Sequence, residues 1–209
     1  MPDKPIPSVY TVCQLSAWFA FRLCLGFRAY GQKNVPLTGG ALLLSNHQSY
    51  LDPVVIGAPL RRRLRFMARE TLFRNPLFGT LLESVGAFPV RRGRPDKTSI
   101  RHAIELLASG EALVMFPEGT RSHDGRLQPI LGGFTLLVRK ANAPVVPIAV
   151  DGTHRAWPRS KRLPTPARVR VAYGVPIPPD EFNGITDAQA GQRVWNEIAA
   201  LLDALRRLP

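Results

Sequence analysis

The sequence predicts one α/β domain: a largely parallel, mixed central sheet flanked by helices, preceded by an amphipathic, membrane-contacting N-terminal helix. Three observations predict it. Segments with strand and helix character alternate along the chain. The central strand candidates, residues 41–45, 112–116 and 145–150, are continuous apolar runs, as expected of strands covered on both faces. The chain has 209 residues, 45% of them hydrophobic, enough for a single core and too apolar for a disordered or collagen-like chain. No internal repeat or low-complexity segment divides it. The expected boundary separates a membrane-associating segment, residues 1–30, from the domain at residues 31–209.

Residues 9–27 are the most apolar stretch, interrupted by Gln14 and Arg22. A spanning helix needs ~20 apolar residues with few charges, and this stretch is borderline in length and carries an arginine. At helical pitch Ser8, Thr11, Gln14, Arg22 and Arg28 fall within roughly 160° of arc. That pattern fits a helix lying in a membrane interface, with Arg22 and Arg28 at headgroup level and Trp18 and Phe19 below them. A Gly/Pro-rich turn over residues 31–40 leads into the strand at 41–45. A short apolar helix is expected over residues 53–60, a strand over 66–68, a helix over 77–84 and a strand over 87–90. Thr98 or Ser99 can cap the next helix, which Gly110 ends. After the strand at 112–116 come a helix over 133–142 and a strand over 145–150. Arg168-Val-Arg-Val-Ala-Tyr173 alternates with period two, so a strand with one polar face is expected. From Asp187 on, Val194, Ile198, Leu201, Leu205 and Leu208 mark the inner face of a closing helix.

The chemistry-bearing residues follow the ends of the apolar strands, where open α/β sheets bind ligands. Asn46-His47-x-x-x-x-Asp52 leaves the strand at 41–45. Histidine suits general-base work near neutrality, and an aspartate five residues on, across a tight turn, can hold the other ring nitrogen and stabilise the imidazolium. With a substrate that brings its own hydroxyl, no protein nucleophile is needed. Phe116-Pro-Glu118-Gly119-Thr120-Arg121-Ser122 leaves the strand at 112–116. In it Gly119 permits a turn, Arg121 offers a fork for phosphate and Thr120 and Ser122 offer hydroxyls. Gly86-Ala-Phe-Pro-Val-Arg91-Arg92 is again a strand followed by cations. Together these make a site for an anionic substrate beside a general base; the residues alone do not name the electrophile.

The order and wording of these blocks resemble the glycerophospholipid acyltransferase family, of the 1-acylglycerol-3-phosphate acyltransferase type. The family is marked by NHxxxxD, G-x-x-x-x-x-R, FPEGTRS and V-P-[IV] blocks. Here they stand at residues 46–52, 86–92, 116–122 and 146–148, and the resemblance covers roughly residues 31–155. It implies that His47 deprotonates the acceptor hydroxyl, that Asp52 orients His47, and that the oxygen attacks the thioester of acyl-CoA or acyl carrier protein. Arg92 and Arg121, with Arg91 as neighbour, would hold the acceptor phosphate. Asn46, Glu118, Gly119 and Thr120 would shape the site, and Val146-Pro147-Ile148 would support the acyl side. Backbone N–H groups near Asn46 or Gly119 are candidate oxyanion donors. The acceptor implied is lysophosphatidic acid or a similar lipid, and the product is phosphatidic acid. Neither a metal nor a cofactor is expected beyond the acyl donor as co-substrate. The chain departs from the family pattern at residues 128–133, where typical members carry a lysine-bearing stretch. Other acceptors therefore stay open: a lysophospholipid, glycerol-3-phosphate or an amino-acid lyso-lipid. A non-catalytic lipid-binding protein of the same fold is the remaining alternative, and the intact His47 and Asp52 argue against it.

Lys and Arg number 28 against 15 Asp and Glu, a net charge of +13, and only 5 of the cations are lysines. Such a field attracts polyanions. Two patches stand out, Arg61-Arg-Arg-Leu-Arg65 and the set Arg155, Arg159, Lys161, Arg162, Arg168 and Arg170. Nucleic acid is the least supported partner, since the cations are not interleaved with stacking aromatics and no binding motif is present. An anionic membrane surface fits better, beside an apolar helix and a phospholipid-like substrate. The expected location is the cytoplasmic face of a bacterial inner membrane, peripheral or monotopic. Cys13 and Cys24 make no disulfide scaffold, and the start lacks a secretory pattern.

Overall fold

The computed structural model describes residues 8–91, 96–130 and 133–209. Seven strands form one sheet: Arg28–Tyr30 (β1), Ala41–Ser45 (β2), Leu64–Arg69 (β3), Ala87–Val90 (β4), Ala112–Met115 (β5), Val145–Asp151 (β6) and Arg170–Tyr173 (β7). Their order is β1-β7-β6-β2-β5-β3-β4. The five strands from β6 to β4 are mutually parallel. β7 runs antiparallel to β6, and β1 is parallel to β7. The sheet is therefore mixed and mostly parallel, as the sequence predicts.

Seven α-helices are present among the described residues: Ser8–Cys24 (α1), Asp52–Gly57 (α2), Pro76–Ser84 (α3), Lys97–Ala108 (α4), Phe134–Ala141 (α5), Thr153–Ala156 (α6) and Asp187–Arg207 (α7). The two-residue period of the strands divides the core. Leu43, Val114, Val146, Ile148 and Val150 pack with Val55 and Ile56 of α2 on one face. Leu42, Leu44, Leu113, Val145 and Ala149 pack with α4, α5 and α7 on the other. Both faces are covered, so β2 is buried at every residue and reads as an unbroken apolar run. Each such leucine contributes about 1.5–3 kcal/mol of burial.

α1 lies against α2. The Tyr10 hydroxyl accepts from the Leu64 N–H at 3.3 Å, and Gln14 Nε2 donates to the carbonyls of Gly57 and Leu60 at 2.8 and 2.6 Å. Gln14 thereby ties α1 to the end of α2 and to the chain just beyond it. The opposite face of α1 carries Val12, Leu15, Phe19 and Leu23, each more than 60% exposed. The helix thus turns a polar side chain inward and apolar ones outward, and Gln14 belongs to the domain rather than to the headgroup arc with Arg22. No described helix is long and apolar enough to cross a membrane.

Several elements differ from the sequence reading for local reasons. Residues 28–30, expected in the N-terminal segment, pair with β7 as an edge strand too short to carry a pattern. α4 begins earlier, because the Asp96 carboxylate accepts from the Ser99 N–H and is the cap. β7 has no polar face: Arg170 is buried, and its guanidinium donates to the Leu205 carbonyl and to an oxygen of Pro209 beyond the sheet. The Arg61–Arg65 run is mostly structural. Arg62 binds the carbonyls of Pro36, Gly39 and Gly110, and Arg65 pairs with Glu111 at 3.0 Å.

Candidate active site

Because β2, β5 and β6 are parallel, the loops that follow them open on one edge of the sheet. The first loop, residues 46–51, is fixed at its start by Asn46. Its side chain donates to the Val150 carbonyl and accepts from the Val150 N–H at 2.9 and 2.8 Å, copying a strand pairing across to β6. At the other end Asp52, fully buried, opens α2. One oxygen, Asp52 Oδ2, accepts from the Gln48 and Ser49 N–H groups at 2.6 and 2.7 Å and meets His47 Nδ1 at 2.8 Å. A carboxylate only accepts, so Nδ1 carries the proton and Nε2 keeps its lone pair. The His47 ring stacks on Phe116, centroids 4.0 Å apart and planes at 17°, which fixes its second degree of freedom. With Nδ1 engaged, Nε2 is the nitrogen left for a reactant.

The second loop folds against the first. The Ser122 N–H donates to the His47 carbonyl at 2.7 Å, and the His47 N–H donates to Glu118 Oε1 at 3.3 Å. Burial pushes the Glu118 carboxyl up to about 8, against the pull of the His47 and Gln128 N–H groups, and the Asp52 charge adds to the rise. Glu118 is thus largely neutral at pH 7 and ties the two loops together. Gly119 takes a left-handed φ of 71°, and its N–H is already bound to the Phe116 carbonyl at 3.0 Å. Of the two candidate oxyanion donors, this one is occupied. Thr120 is exposed.

Arg121 reaches back to the first loop. Its guanidinium lies 3.6 Å from the centre of the Tyr50 ring, and Nη1 is buried without a hydrogen-bond partner. A stacked guanidinium with an unused N–H is poised for an anionic acceptor. Tyr50 in turn leans on Trp157, 5.9 Å between ring centres, from the third loop after β6. Arg91 stands at the end of β4, on the same edge but two strands from β5, where it is exposed and pairs with Glu70 at 3.2 Å. Arg92 lies outside the described residues. Among the described residues no group of three His, Cys, Asp or Glu side chains could hold a metal ion.

Sequence reasoning gave no role to Phe116 and gave Tyr50 only a bearing on the choice of acceptor; Gln48, Ser49 and Trp157 it did not single out. The first two had a signal, an aromatic inside each block. The backbone donors at 48 and 49 follow from an aspartate at a helix start. Nothing local announces Trp157.

A fold with parallel strand ends meeting a His–Asp pair defines an acyl-transfer enzyme once its relatives are considered. Residues 26–151 match the Acyltransferase family model, so the chain belongs to the acyltransferase family and is an O-acyltransferase. Among its relatives is the 1-acyl-sn-glycerol-3-phosphate acyltransferase of Bacillus subtilis (strain 168). It is 27% identical over 200 residues, which are 95% of this chain and 94% of that protein. A chloroplastic protein of the same name from Brassica napus is 33% identical over 151 residues, 70% of this chain but only 44% of its own length. The crystal structure of the lysophosphatidic acid acyltransferase PlsC from Thermotoga maritima superposes with a TM-score of 0.86 at 24% identity. The alignment covers 100% of this chain and 85% of that one, a likeness of fold.

Proposed function

We propose that the protein transfers a fatty acyl group from the thioester of acyl-CoA or acyl carrier protein to the free hydroxyl of 1-acylglycerol-3-phosphate. The product is phosphatidic acid for phospholipid synthesis. The observation that carries the reading is the buried His47–Asp52 pair, folded against a loop that presents Arg121, whose Nη1 is buried without a hydrogen-bond partner. His47 Nε2 accepts the hydroxyl proton as the oxygen attacks the thioester carbonyl. The C–S bond then breaks, and the imidazolium returns the proton to the departing thiolate. Asp52 stabilises the imidazolium between these events. No metal or cofactor enters this sequence. Arg121 and Arg92 hold the acceptor phosphate, with Arg91 as neighbour. Asn46, Glu118, Gly119 and Thr120 shape the loops that carry these groups. Val146, Pro147 and Ile148 support the acyl side from the buried strand β6. The names of the Bacillus and Brassica relatives support this acceptor.

The outward apolar face of α1 supports a further part of the reading, a protein held on an anionic membrane surface as a peripheral or monotopic protein. The side proposed for it is the cytoplasmic face of the bacterial inner membrane. The test is to offer the purified protein labelled acyl-CoA and acyl carrier protein with lysophosphatidic acid, neutral lysophospholipids, glycerol-3-phosphate and an amino-acid lyso-lipid. Phosphatidic acid identified by mass, formed faster than any other product, is the expected result. A faster reaction with any other acceptor of this panel would overturn the acceptor assignment.

A further inference from the structure

A cavity of about 530 Å³ opens at the β1–β7 side of the sheet, lined by Arg22, Gly26, Phe27, Arg28, Arg168, Arg170 and Pro209. It lies on the edge that carries the candidate active site. Arg28 is in register with Arg170, and Arg170 with Asp151, the last residue of β6. One residue before Asp151, Val150 holds Asn46. The cavity is therefore separate from the site, three strands from β2, but faces the same way.

Four arginines around one cavity repel each other unless something neutralises them. Arg170 is held by the Leu205 carbonyl and by an oxygen of Pro209, the final residue of the sequence. The nearest carboxylate in the sheet, Asp151, is taken by Arg155 and Arg206, at 3.0 and 3.5 Å. No carboxylate among the described residues pairs with Arg22, Arg28 or Arg168. Three forked donors without an Asp or Glu partner among the described residues thus line the cavity, a composition suited to a phosphate ester. The place of Arg22 gives the ligand's source. It stands on the last turn of α1, its guanidinium 5.5 Å from the Trp18 ring, between the exposed Phe19 and Leu23. A membrane that receives those apolar side chains brings its headgroups to the level of Arg22.

We propose that this cavity is a non-catalytic binding site for the phosphate of an anionic phospholipid, seated when α1 enters the bilayer. It fixes the depth and tilt of the domain, so that the edge carrying His47 meets lipid acceptors in the membrane. The inference rests on the membrane reading above, and acyl transfer by the wild-type protein in detergent tests the chemistry separately.

The test is sedimentation of the full chain with neutral phosphatidylcholine vesicles and with vesicles containing phosphatidylglycerol, at about 0.15 M salt, where diffuse attraction is screened. The wild-type protein is expected to prefer the anionic vesicles. Arg28→Gln with Arg168→Gln should weaken that preference roughly thirtyfold, at about 1 kcal/mol per cation. Arg28→Lys with Arg168→Lys keeps the charge and loses the fork, and should still weaken it several-fold. Arg61→Gln with Arg101→Gln removes two exposed cations elsewhere and should change it less than threefold. Unfolding midpoints confirm that each variant is folded. No preference in the wild-type protein, wild-type binding by the lysine pair, or equal loss in the Arg61/Arg101 pair would overturn the proposal. So would a raised KM for a water-soluble short-chain acyl-CoA in the Arg28/Arg168 variants, which would assign the cavity to the donor's phosphates.

Discussion

Asp52→Asn removes one charge and keeps the shape, so its effect can be worked from the hydrogen bonds. Oδ2 takes three donors: His47 Nδ1 at 2.8 Å and the Gln48 and Ser49 N–H groups at 2.6 and 2.7 Å. The amide oxygen of asparagine can take that place and still accept from all three. The NH₂ then falls where Oδ1 sits, a buried position without a partner. Weaker bonds and an unmatched donor together should cost about 1–3 kcal/mol of stability. The Nδ1–H tautomer survives, but the imidazolium formed during the reaction faces a neutral amide instead of a carboxylate. The expected loss in kcat is roughly 10²–10⁴-fold, about 3–5 kcal/mol of transition-state stabilisation. The KM for the acceptor should stay within about twofold, since Asp52 is buried behind His47. Thiol release from the donor measures the rate, and urea unfolding measures the stability. A folded variant with kcat within about threefold of wild type would refute the role given to Asp52.

Glu118→Gln should change how stability varies with pH. The folded carboxyl titrates at about 8 and the unfolded one near its ordinary value of 4.5, so the folded state binds the extra proton between them. Stability conferred by the protonated group is therefore lost as pH rises from 4.5 to 8, and urea midpoints of the glutamine variant should flatten across that window; an unchanged slope would refute the burial argument. Arg121→Ala should raise the KM for a phosphate-bearing acceptor by roughly tenfold or more with a smaller change in kcat, while Tyr50→Ala, which removes only the stacking, should raise it by roughly two- to fivefold. Phe19→Ser with Leu23→Ser should release the protein from vesicles without lowering its unfolding midpoint, because both side chains are exposed. Unaltered sedimentation would remove α1 as the membrane face.

The strands that position the site were the most legible part of the sequence. β2, β5 and β6 are buried on both faces, so composition alone marks them, and their observed ends differ from expectation by a residue at most. His47 and Asp52 were legible because their pairing is local, five residues across one turn. What escaped depends on distant partners. Arg170 alternates like a surface residue, yet the end of α7, more than thirty residues on, supplies the carbonyl that holds it. Gln14 sits in a polar arc, yet its amide binds the end of α2, more than forty residues on. Arg62 looks like one cation in a run, and only the folded loops place three carbonyls around it. Tyr50 carries no sign that Arg121 will stack on it, since the contact joins loops from two strands.

The central claim is that His47 is the base for acyl transfer to a lipid hydroxyl. It is tested most directly by single-turnover acyl transfer from a labelled thioester to lysophosphatidic acid, comparing the wild-type protein with His47→Ala at equal folded concentration. The wild-type protein should give phosphatidic acid and free thiol in equal amounts, and the variant should be slower by roughly 10³-fold or more. Product formed by the folded variant at near the wild-type rate would contradict the account.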